Sequence, residues 1–178
     1  MALLARIAMA VALCCLATAA RADDQALLDR ALATALAQAE RALPSLDAEA
    51  FGVDVAAYHA ALRLQPFSSP VWGGAIQVEL QIRSQASGSC SRYAAFVRMP
   101  PENGRLPLVL CPQFFTPGAD ALRVLTVLHE MVHVVAGRDE CQAMAFAARV
   151  QQLATGSFTP VDAYWNASGC AQSPYFLP

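Results

Sequence analysis

The sequence contains no lysine: all 12 of its basic residues are arginines, scattered along the chain. Against 14 acids they leave a formal charge of −2 and no basic cluster. A phosphate backbone therefore has nothing to track, and nucleic acid is excluded as an expected partner. Histidine is scarce, at three residues, and charged side chains of either sign make up 15% of the chain. No C-x-x-C pair occurs, which leaves the histidines rather than the cysteines to define any metal site. Repeats and low-complexity segments are absent, and beyond residue 22 no apolar run is long enough to span a bilayer.

The first 22 residues read as a cleaved signal peptide. Arg6 supplies a short basic region, Ile7 to Ala19 is apolar but too short for a membrane span, and Ala20-Arg21-Ala22 forms an A-x-A cleavage site. Residues 23–178 then form one expected domain, with ten arginines against 14 acids and a formal charge of −4. The implied location is secreted or periplasmic, with no stable membrane insertion after cleavage. Four cysteines lie beyond the cleavage site: Cys90, Cys111, Cys141 and Cys170. In an exported protein they read as two disulfides, with three possible pairings. Order along the sequence favours Cys90–Cys111 and Cys141–Cys170.

Periodicity divides the rest. Asp24 to Leu43 has the apolar spacing of an amphipathic helix stopped by Pro44. A second helix is expected from a cap at Ser45 or Asp47 to about Leu64, carrying His59, to which no role is given. Gln65 to Gly74, with two prolines and a Gly73-Gly74 pair, reads as a loop. The pattern then alternates: Ala75 to Gln85, Tyr93 to Met99 and Leu106 to Phe115 read as strands. Asp120 is a candidate N-cap for a helix from Ala121, Gly137 fits the end of that helix, and Asp139 can cap a last one running to about Leu153. From Ala154 onward the sequence reads as an irregular tail. The expected class is α+β: N-terminal helices, a small antiparallel or mixed sheet of about three strands, two consecutive long helices and a disulfide-tied tail.

One of those helices carries the chemistry. His129-Glu130-Met131-Val132-His133 places two imidazoles four residues apart, on one helical face, where both can point at a single ion. Glu130 sits about 100° further round, able to reach a water on that ion without ligating it. The run Thr126 to Val135 has no charge besides Glu130 and no proline to kink it. Burying two imidazoles and a carboxylate in five residues is costly without a metal or partners. Zinc explains the pattern, since it lowers the pKa of a water to about 7 and the glutamate takes the proton.

Catalytic zinc commonly takes a third protein ligand. Two candidates stand side by side: Glu140, which the turn at Gly137 could fold back onto the histidines, and Asp139, six residues after His133. The segment Thr126 to Val135 resembles the extended signature of zincin metallopeptidases. Glu140 to Ala148 resembles the E-x-x-A-x-x-F-A-A helix of compact gluzincins of the ImmA-like type, which implies Glu140 as the ligand. The six-residue spacing is similar to that of metzincins, which implies Asp139, although Ala136 stands where their glycine would be. Leu110-Cys111-Pro112-Gln113-Phe114-Phe115, followed by the histidine motif, resembles deuterolysin-like aspzincins, whose aspartate motif is not reproduced here. Together the resemblances cover about Leu106 to Val150.

They imply a zinc-dependent hydrolase acting on a peptide or protein, with His129, His133 and Glu140 (alternatively Asp139) holding zinc and Glu130 as general base. Tyr164, Tyr175 and Arg138 are candidates for stabilising an oxyanion. By resemblance to zincins, one of the strands between Ala75 and Phe115 would align substrate by backbone pairing. The alternative from a different class is a non-catalytic exported protein serving as a binding or envelope-assembly module.

Overall fold

The computed structural model describes the backbone of residues 2–178 and the side chains of residues 22–178. The expected signal segment thus lies outside the described side chains, except for Ala22. The protein is α+β, with five helices, sheets of two and four strands, and two disulfides. Helix α1 (Ala2–Ala42) runs into a 3-10 turn that contains Pro44, the expected stop. Its first part falls in a compact unit, Met1–Arg30; all that follows belongs to a second unit, Ala31–Pro178. Among the described residues no helix is long and apolar enough to cross a membrane.

The expected second helix is half its anticipated length. Residues 49–54 instead form a hairpin of β1 (Glu49–Ala50) and β2 (Val53–Asp54), and α2 (Val55–Leu62) starts from Asp54, whose carboxylate accepts from the Ala57 amide. The reversal falls on Phe51 and Gly52, both at positive φ, a two-residue turn that matches strand twist. Phe51 accepts that costly conformation where its ring meets Phe176 and Tyr175 and its carbonyl accepts from Gln142.

Within the expected loop 65–74 lies another strand, β3 (Phe67–Ser69). It pairs antiparallel with β4 (Gly74–Ile82), the strand that the alternation at Ile76 and Val78 predicts. β5 (Ala95–Val97) and β6 (Arg105–Leu110) are shorter than expected, because Pro100 and Pro112 bound them. The sheet order is β3-β4-β6-β5: mixed, four-stranded rather than about three, with β4 and β6 parallel and β5 at one edge. Central β6 is buried from Leu106 to Leu110, as a strand covered on both faces must be.

Helix α3 (Asp120–Ala136) carries the histidine motif, and α4 (Glu140–Thr155) follows after three residues. Ala143, Ala145, Ala147 and Ala148 of α4 are buried, so the two helices pack closely, while Phe146 meets Tyr58 edge-on at 4.7 Å. Asp120 does not cap α3 as expected. Its carboxylate faces Arg123, which is buried, bonds the Thr116 carbonyl and lies over the Phe114 ring. The tail is less irregular than the sequence suggests: α5 (Asp162–Ala167) forms within it. Both preferred disulfides are present, Cys90–Cys111 and Cys141–Cys170.

Candidate metal centre

Three groups from two helices converge. His129 and His133 stand one turn apart on α3, their Nε2 atoms 3.0 Å from each other. Glu140, the first residue of α4, brings Oε2 to 3.2 Å from His129 Nε2 and Oε1 to 3.5 Å from His133 Nε2. This His-His-Glu group could hold a metal ion.

The turn between the helices explains how Glu140 arrives. Gly137 ends α3 with φ of 97° and ψ of −149°, a conformation open to glycine. Its carbonyl lies 2.7 Å from His133 Nδ1. That contact makes Nδ1 the protonated nitrogen and leaves the Nε2 lone pair facing the cluster. Asp139 turns the other way: its Oδ1 accepts from the amides of Cys141 and Gln142 and caps α4. Of the two adjacent acids, Glu140 reaches the histidines and Asp139 serves the helix.

Glu130 is buried beside them. Burial pushes its carboxyl above the ordinary carboxylate value; the histidines and a hydrogen bond from the Val97 backbone pull it down, and Glu140 adds to the rise. For His133 burial alone would lower the pKa, but the hydrogen bond to Glu140 and the charges of Glu130 and Glu140 outweigh it and raise the value. Glu140 is driven well below the usual range: burial opposes this, and its bonds and charge interactions with both histidines prevail. Removal from water and their charges on one another together set these acids and bases.

The cluster opens into a cleft of about 650 Å³, within the usual range for a small-ligand or peptide site. One wall is β5, with Ala95, Phe96 and Val97 lining it. Arg98 donates to Pro107 and Ala94 accepts from Cys111, so the residues between, Ala95 and Val97, turn their backbone groups away from β6, the Val97 amide toward Glu130. Tyr164 from α5 and Arg138 from the interhelix turn also line the cleft. Tyr164 Oη donates to Glu140 Oε2 at 3.1 Å, and burial beside that carboxylate raises its pKa.

Tyr175 and His59 lie elsewhere. Tyr175 stacks near Phe51, and His59 sits 3.5 Å from Glu40; neither lines the cleft. Trp72, which the sequence did not single out, donates its indole N–H to the Val134 carbonyl at 2.7 Å. Tyr58 does the same to the Leu128 carbonyl at 3.1 Å. Both fasten the motif helix from outside the site, and a tryptophan close to a proline in a loop gives little warning of it.

Compared with known proteins, the sequence matches no family model, no curated protein and no solved structure. The functional reading rests on the site itself.

Proposed function

We propose that the protein is an exported zinc-dependent peptidase of zincin type. The carrying observation is the convergence of the three candidate ligands: the imidazole nitrogens are 3.0 Å apart, one Glu140 oxygen is 3.2 Å from His129 and the other is 3.5 Å from His133, and one ligand atom from each residue lies within 4.8 Å of the others. A tetrahedral zinc with bonds of about 2.0–2.1 Å separates its ligands by roughly 3.3–3.4 Å, which small side-chain rotations would reach. Two neutral imidazole nitrogens and one carboxylate are the donor set of many catalytic zinc sites, and the cleft leaves room for a fourth ligand. Zinc bound there would supply a Lewis acid that polarises the scissile carbonyl and acidifies a water.

The protein's own groups do the rest. Glu130, held by the Val97 amide and kept out of bulk solvent, takes the proton of the attacking water and returns it to the leaving amine. Its raised pKa suits both halves of that task. The open edge of β5 pairs with an extended peptide and sets its register across the cleft. Tyr164, which lines the same cleft, could donate to a developing oxyanion once it leaves Glu140. Export is supported by the N-terminal signal pattern and agrees with two disulfides.

The test is a Glu130→Gln variant assayed on a peptide library together with zinc content. Hydrolysis should fall by about three orders of magnitude or more while one equivalent of zinc is retained. Wild-type turnover in that variant would overturn the mechanism.

A further inference from the structure

The arginines of the cleft have no acid to serve. Arg92 and Arg138 both line it, and neither has a carboxylate within ion-pair distance among the described residues. Arg92 lies over the Tyr93 ring and Arg138 is exposed in the interhelix turn. The acids nearby are already engaged: Glu140 with both histidines and Tyr164, Glu130 with the Val97 amide. Two unmatched positive charges thus stand in a concave site of a protein whose formal charge is −2. Outside the histidine–glutamate cluster, the charges that line the cleft are positive and would attract an anion. Walls of low dielectric strengthen that attraction, and a guanidinium offers a carboxylate two parallel N–H···O bonds.

Much of the remaining lining is apolar. Leu122, Leu125 and Met99 stand in the cleft, Leu122 with 55% of its surface exposed. We infer that the cleft selects peptides bearing a carboxylate next to apolar side chains, the carboxylate bound by Arg92 and Arg138. That the ligand is a peptide rests on the peptidase reading. The carboxylate can come from the free C-terminus of a peptide or from an Asp or Glu side chain.

Four fluorescent peptides of one apolar sequence separate these cases: a free C-terminus, a C-terminal amide, an amide with one internal Glu, and an amide with Gln in its place. Binding is measured by polarisation on the zinc-loaded Glu130→Gln protein, and cleavage in parallel on the wild type. The free-acid or the Glu peptide should bind at least tenfold tighter than its neutral counterpart, and which of them does so identifies the source. The preference should shrink in Arg92→Gln and in Arg138→Gln, vanish in the double variant, and weaken as salt rises from 50 to 500 mM. Equal binding of acidic and neutral peptides, or no binding of any of them, would overturn the inference. Selective binding without cleavage would leave it standing and sink the peptidase reading; cleavage without preference would do the reverse.

Discussion

Tyr164 Oη lies 3.1 Å from Glu140 Oε2, the same oxygen that faces His129 Nε2 at 3.2 Å. The tyrosine therefore bonds the carboxylate that completes the candidate metal group, although 24 residues separate them. Outer partners of this kind orient a ligand and set its basicity.

Replacing Tyr164 with Phe should weaken zinc binding by about tenfold, the low end for loss of an outer partner. Chelator competition measures it. Fold should be unchanged, since Tyr164 is 44% exposed. An unaltered zinc affinity would mean that Glu140 is held without the tyrosine.

The two neighbouring acids should separate cleanly. Glu140→Ala should lose most of the bound zinc with little change in melting temperature of the metal-free protein. Asp139→Ala should keep the zinc and lose stability of about 1 kcal/mol, the usual size of an N-cap contribution. Metal analysis and thermal melts of both variants check the assignment; the opposite pattern would make Asp139 the ligand.

The metal-free protein should lose stability as pH rises above neutrality. His133 is raised by Glu140 and Glu130, so its contribution is full below its ordinary value of about 6.5 and is lost as pH climbs through the folded value. Raised Glu130 acts with the same sign. Glu140 is lowered, so its contribution is present above about 4.5 and is lost on acidification. The optimum lies between these values. With Glu140 43% exposed, solvent screens the pair, and the fall between pH 6 and pH 8.5 should be no more than about 2–4 °C. Melts in EDTA read it directly, and Glu140→Gln should flatten the slope. A protein more stable at pH 8.5 than at pH 6 would contradict these assignments.

Removing the Cys141–Cys170 bridge should weaken the site as well as the fold. The two cysteines are 29 residues apart, a loop whose closure is worth about 3–4 kcal/mol on the chain-entropy account. The bridge also ties the segment just after α5 to the residue next to Glu140. A Cys141→Ala, Cys170→Ala double variant should melt lower and bind zinc less tightly than Tyr164→Phe alone. Zinc affinity at the wild-type level would show that α5 is held by other contacts.

The motif helix was legible because four residues make one helical turn, and a reversal at Gly137 could return a following acid to it. The disulfide pairing followed only from order along the chain, and the sequence left Asp139 open beside Glu140. What failed to show depends on partners distant in sequence. Phe51 turns a hairpin inside a helical pattern because aromatic rings from the C-terminal residues cover it. Phe67 and Ser69 form a strand among turn-forming residues because β4 offers an edge to pair with. Asp120 looks like a cap until Arg123, buried under Phe114, claims its carboxylate. The unmatched charges of Arg92 and Arg138 were beyond reach for the same reason, since the lack of an acidic partner is visible only in three dimensions.

An unpaired strand edge is ordinarily a hazard, because its free amides template the addition of further strands and lead to aggregation. Here the open edge of β5 is three residues long, and the Cys90–Cys111 bridge ties the segment entering it to the segment leaving β6. At that length, and with α3 packed against it, the edge offers an added strand few hydrogen bonds, which is how a short edge limits the growth of a sheet.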